Sequence, residues 1–175
     1  MGEDYLAVNT ILLQFIILAA FFLDAYAFST EGIVGFSVGR KNKTSFLSIV
    51  KNSIQLSFFT ALIISFLYLL FFKDIINAIT SIDVLRFISY KHSIWIIIIP
   101  PVASFCYQLD GIFIGASQTK EIRNAMIVSV LIFIGISIYL TQYFGNHGLW
   151  FSLLLFMILR SLTLQFYFNK ILRKF

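Results

Sequence analysis

Asp24 and Asp110 each stand inside a run of apolar residues, at 16–28 and 96–115. Both runs are apolar enough to lie within a bilayer-crossing helix. A carboxylate at that depth costs about 2.5–3.5 kcal/mol on insertion scales, so it is neutralised, paired or turned to a wet cavity. Both acids follow leucine and precede a small residue, as Leu23-Asp24-Ala25 and Leu109-Asp110-Gly111. Repeated on two spans, this pattern points to ion or substrate transport. Glu31 follows Asp24 by seven residues and shares its helix face. Tyr107 precedes Asp110 by three residues and faces alike, and Gln108 beside it is a further candidate for a cavity wall. Arg160, between Leu159 and Ser161 in another apolar run, needs an acid at such depth. Asp24, Glu31 and Asp110 are its candidate partners. The plainer alternative is static: acids that bond neighbouring helices, and an ion pair that only fixes packing.

Other chemistry finds little support. His92 and His147 have no metal-like neighbours, so no metal site is expected. No G-x-S-x-G, H-E-x-x-H or phosphate loop occurs. A paired-aspartate intramembrane protease would use two acids on two helices, but its companion residues are absent, and no enzyme is expected. The single cysteine, Cys106, excludes an internal disulfide and a cysteine cluster. Apart from a coupling ion, no cofactor is expected.

The elements that must carry these groups are helices in a membrane. Of 175 residues 59% are hydrophobic and only 12% charged, against about 25% in soluble domains. Mean hydropathy is +0.92. The basic pI of about 9.4 reflects Lys and Arg clustered between apolar runs, so topology explains it better than nucleic acid does. About five spans are expected, near 6–38, 46–72, 93–116, 122–144 and 149–168. The first is too long for one straight crossing and calls for tilt, a bend or an extension. Pro100 and Pro101 are expected to break or kink the third, ahead of Asp110. The segment 73–92 reads as an interfacial turn with a short amphipathic lead-in, and Gly145-Asn146-His147-Gly148 as a tight turn. Several small-residue spacings, Gly35 with Gly39 and Gly111 with Gly115 among them, favour close helix contact. With the first loop inside, nine basic residues lie inside (Arg40, Lys41, Lys43, Lys51, Lys120, Arg123, Lys170, Arg173, Lys174) and three outside (Lys73, Arg86, Lys91). That puts the N-terminus outside and the C-terminus in the cytoplasm. The acidic start, Gly2-Glu3-Asp4, does not read as a signal peptide.

Three ordered blocks resemble a known family: residues 23–35 (Leu-Asp-Ala-Tyr-Ala-Phe-Ser-Thr-Glu-Gly-Ile-Val-Gly), residues 109–126 from Leu-Asp-Gly-Ile-Phe-Ile-Gly onward, and residues 145–164 from Gly-Asn-His-Gly-Leu-Trp to Leu-Arg-Ser-Leu-Thr-Leu. They resemble the DinF-like branch of the MATE (multidrug and toxic compound extrusion) transporters. The resemblance implies an all-α polytopic membrane protein, with residues 1–175 matching helices eight to twelve of twelve and no counterpart here of the N-terminal lobe. It implies secondary antiport in a bacterial inner membrane: export of small organic, often cationic compounds in exchange for protons or sodium. In several members an acid on the tenth helix helps to bind the coupling cation, and Asp110 falls in the matching stretch. Asp24-Ala25 departs from the branch's usual Asp-Gly. The expected site therefore has Asp110, Asp24 and Glu31 as coupling acids, with Tyr107, Gln108 and Arg160 towards substrate. The expected partners are lipid, a small organic substrate and the missing lobe, and not nucleic acid. The alternatives are a flippase for lipid-linked precursors in the same superfamily, and a membrane subunit that does not itself transport.

Overall fold

The computed structural model describes residues 2–175. It consists of α1 (Glu3–Gly39), α2 (Lys43–Ile79), α3 (Asp83–Gly115) and α4 (Thr119–Leu172). All four are long and apolar enough to cross a membrane, and no strand occurs among the described residues. At about 1.5 Å per residue, the 37-residue α1 spans about 55 Å, well beyond the hydrocarbon core. Large apolar side chains such as Phe21, Phe28, Phe59, Phe66 and Leu131 point outward, as lipid-facing positions require.

Four helices stand where about five spans were expected. The difference lies in the 54-residue α4, which reverses at Gly145 (φ 56°, ψ −135°), a backbone conformation open to glycine. Its two halves, 119–144 and 146–172, fold against each other. Glu121 pairs with Lys170, the Phe133 ring meets Phe156, and a Cβ on Gly148 would strike the Leu140 carbonyl. As one partner advances along the chain the other retreats, so α4 is an antiparallel helical hairpin. The segment at 73–92 holds the expected turn and lead-in, the latter as the start of α3, but the turn is shorter than expected. Both helices run through it, and only residues 80–82 turn. Side chains there close the helix ends: Arg86 Nε donates to the Thr80 carbonyl at 2.7 Å, and Tyr90 donates to Asn77 Oδ1 at 2.6 Å.

The two turns at the basic end are built alike. Lys41 (φ 53°) and Ser117 (φ 54°) adopt the left-handed conformation just past α1 and α3. The N–H groups of Asn42 and Gln118 reach back to the carbonyls of Ser37 and Phe113, which caps the helix ends. Asn42 then accepts from Ser45 N at 3.0 Å and starts α2.

α1 and α3 lie parallel and in close contact. A Cβ on Gly111 would overlap the Ala27 carbonyl, and one on Gly115 the carbonyl of Glu31. Of the small-residue spacings, Gly111 with Gly115 is therefore the one that brings backbones together, while Gly32 and Gly39 face open space. Two apolar clusters flank this contact. One, towards the N-terminus of α1, holds Leu12, Phe15, Ala19, Tyr68, Phe72, Ile99 and Ala103. The other, towards the basic end, holds Val34, Phe46, Leu109, Ile112, Phe113 and Leu164. Asp24, Asp110 and Arg160 fall in the layer between them.

Gly111→Ala must push α1 from α3 and is expected to cost on the order of 1–3 kcal/mol. Gly32→Ala meets nothing and is expected to be neutral or slightly stabilising. Unfolding both variants in detergent checks this, and equal stabilities would contradict the packing described.

Candidate functional site

The site is the polar layer between the two apolar clusters, and α3 supplies most of it. Its Cys106, Asp110 and Phe113 follow helical spacing on one side, while Gln108, Gly111 and Gly115 serve the contact with α1. Arg160, from the second half of α4, donates from a guanidinium nitrogen to Asp110 Oδ2 at 2.6 Å. The two side chains are 14% and 15% exposed, so the pair is largely withdrawn from its surroundings. The contact uses one oxygen and one nitrogen. Asp110 Oδ1 and Arg160 Nε are buried without a protein partner among the described residues. A fork that can bind a carboxylate twice is thus engaged once.

Asp24 completes the charged group. Parallel packing sets α1 beside α3, and Asp24 lies within electrostatic reach of both Arg160 and Asp110. Tyr107 is within reach of all three charges. With all three ionised, two carboxylates face one guanidinium, and the layer carries one uncompensated negative charge. Glu31, expected with them, makes no ion pair or side-chain hydrogen bond among the described residues; its backbone carbonyl instead packs against Gly115. Gln108 is fully buried and turned towards α1, where Thr30 donates to its Oε1 at 3.0 Å. Tyr26 extends this side to α2, accepting from Thr60 at 3.0 Å.

Pro100 and Pro101 do not break α3, contrary to expectation; the helix runs through them to Gly115. Proline's fixed φ is helical, so its main cost inside a helix is the lost donor and the crowding of the turn before. The carbonyls that lose a donor belong to Ile96 and Ile97, and Ile96 is fully buried in protein rather than lipid. Ser104 donates to the Pro101 carbonyl at 2.7 Å, two turns before Asp110.

Sequence reasoning passed over two features. Thr60 donates to the Tyr26 hydroxyl between α2 and α1, while the Thr30 hydroxyl lies against the Tyr26 backbone carbonyl and Gln108, contacts hidden because each residue is common in apolar helices. The other lies at the end opposite the basic turns. There Asn9 and Asn146 exchange amide hydrogen bonds of 2.7 and 2.9 Å, and Trp150 donates to Asn9 at 2.9 Å. An asparagine within an apolar run was the available signal.

If Arg160 neutralises Asp110, removing one partner alone is expected to cost about 3–5 kcal/mol. Arg160→Leu combined with Asp110→Asn should recover much of that loss, and combined with Glu31→Gln none of it. Unfolding the single and double variants in detergent measures the coupling, and additive losses for Arg160 with Asp110 would contradict the pairing.

Comparisons with known proteins place the chain in a family. The MatE family model matches residues 1–141. DNA damage-inducible protein F of Escherichia coli (strain K12) is 34% identical over 164 residues, covering 94% of this chain. The chain spans 36% of that relative's length. No solved structure matches. With its membrane-crossing helices and a family match over most of its length, the chain belongs to the MatE family of multi-pass membrane proteins.

Proposed function

We propose that this chain is the C-terminal portion of a secondary transporter that exports small organic compounds, often cations, in exchange for protons or sodium. The observation that carries this reading is the charge count between α1, α3 and α4: two carboxylates, Asp24 and Asp110, against one Arg160. An uncompensated acid at membrane depth attracts a cation. A coupling ion on Asp110 would compete with Arg160 for the carboxylate, and so would a cationic substrate. Only one can be held at a time, and such competition is the elementary requirement of exchange. Asp110 is the main coupling acid in this reading, Asp24 a second one, and Tyr107 and Gln108 wall the cavity. The basic turns face the cytoplasm of a bacterial inner membrane. The portion of the relative that lies outside this match supplies the other half, because alternating access needs two halves around one site.

One observation favours a second reading. A groove of about 400 Å³ runs between α3 and α4, lined by Ile114, Ile122, Met126 and Ile127, with both Arg123 and Arg160 on its walls. Paired cations beside an apolar surface would suit the anionic head of a lipid-linked precursor.

The test is ion-driven export of cationic dyes in inverted vesicles that contain this chain together with its complementary N-terminal portion. Asp110→Asn keeps the volume but cannot cycle a charge, so it should abolish export while folded protein remains. The chain alone should insert and not transport. Asp110-independent export contradicts the coupling role, and movement of an anionic lipid without dye export favours the second reading.

A further inference from the structure

At the end opposite the basic turns, two imidazoles lie face to face. The rings of His92 on α3 and His147 in the turn of the α4 hairpin have centroids 4.2 Å apart, with planes 20° apart. His92 is 2% exposed. Its Nδ1 lies 2.8 Å from the Ile88 carbonyl. A carbonyl only accepts, so Nδ1 carries a hydrogen. Trp95 Nε1 lies 3.0 Å from Nδ1 of His147. An indole N–H only donates, so this Nδ1 must be unprotonated. His147 is thus in its neutral form, with its hydrogen on Nε2. The edge of the Tyr5 ring, from α1, closes on His92 at 6.1 Å. One stack joins α1, α3 and the turn of α4.

We infer that the His92–His147 stack is a proton-binding site of this chain, and that proton uptake there releases the α4 turn from α3. The inference stands apart from the transport reading, because it needs no role for Asp110. A proton arriving on Nδ1 of His147 meets the Trp95 N–H, donor against donor, and that hydrogen bond is lost. The charges that act on His147 come from α3, namely His92 and Lys91, and both oppose a further positive charge. α1 presents Tyr5 to the stack. Glu3, at the start of α1, lines with Tyr5, Asn9 and Leu149 a cavity of about 350 Å³ beside it. Trp95 and Ile88 complete the surroundings on α3, and the described contacts bring no acid onto either ring.

Burial, with His92 and Lys91 adding to it, holds His147 below its ordinary 6.5. The packed form therefore takes up fewer protons than an open one. Its packing is complete above 6.5 and is lost as the pH falls below that value through the lowered one. The neighbouring Asn9–Asn146–Trp150 network contains no titratable group and does not share this dependence. Acid should loosen the turn at His147 before it breaks the amide contacts beside it.

The chain has two tryptophans, so Trp150→Phe leaves Trp95 as the sole indole reporter. In that background, in detergent, Trp95 emission is followed from about pH 8 to pH 5. Loss of the His147 hydrogen bond changes the surroundings of the indole, so its emission should shift with a midpoint below 6.5. His147→Gln can still accept from Trp95 but does not titrate, and should abolish the transition. His92→Gln removes the ring stacked on His147, which opposes its protonation, and should raise the midpoint. Opening is read separately by maleimide labelling of Leu149→Cys, compared at each pH with the same cysteine in His147→Gln. Labelling should rise several-fold in acid only where His147 is present. No Trp95 transition, an unchanged transition in His147→Gln, or a transition without added labelling would each overturn the inference. Should His147→Gln fail to fold, the midpoint shift in His92→Gln decides: no shift overturns it.

Discussion

A carboxylate in the interior of a bilayer must be neutralised, paired or turned to water, and here that requirement organises three helices. Asp110 on α3 is held at 2.6 Å by Arg160 on α4, and Asp24 on α1 lies within reach of both. For Arg160 to arrive at that depth, α4 must turn back on itself at Gly145. For Asp24 to arrive, α1 must pack on α3 closely enough to bring it within range. Gly111 and Gly115 meet that need by admitting the carbonyls of Ala27 and Glu31. The apolar clusters on either side form two hydrophobic floors with a charged storey between them. A buried ion pair contributes little net stability in itself.

Much of this was legible in the residues. Asp24 and Asp110 stood out because apolar runs make a lone acid conspicuous, and Arg160 did so for the same reason. The demand that Arg160 find an acid followed from solvation alone, and the structure pairs it with one of the three candidates. The turn at Gly145 was legible from its glycines. What pattern could not supply was which acid Arg160 would choose. Glu31 has the same charge and shares a face with Asp24, yet it makes no ion pair here.

The misreadings have physical causes. Pro100 and Pro101 read as a break or a kink because proline lacks a donor; no break occurs, because the helix needs only that the orphaned carbonyls lie in protein. The polar stretch at 73–92 read as an interfacial turn with an amphipathic lead-in, and only the extent of the turn was overdrawn. Charged residues near a membrane surface extend a helix as readily as they end it when Arg86 and Tyr90 can close its terminus. The contacts at the opposite end were illegible for another reason. Asn9 with Asn146, and His92 with His147, are joined across 137 and 55 positions of chain, and no local pattern records such a meeting.

The central claim is that Asp110 gives up Arg160 for a coupling cation. The most direct measurement is the infrared difference spectrum of the carboxyl groups in the assembled transporter, recorded on acidification and on addition of sodium, with Asp110→Asn as the reference. The account predicts that one of these cations changes a carboxyl band, and that the change is absent in Asp110→Asn. A spectrum that responds to neither cation, or one that responds equally in Asp110→Asn, would contradict it and leave the Asp110–Arg160 pair as a fixed element of packing.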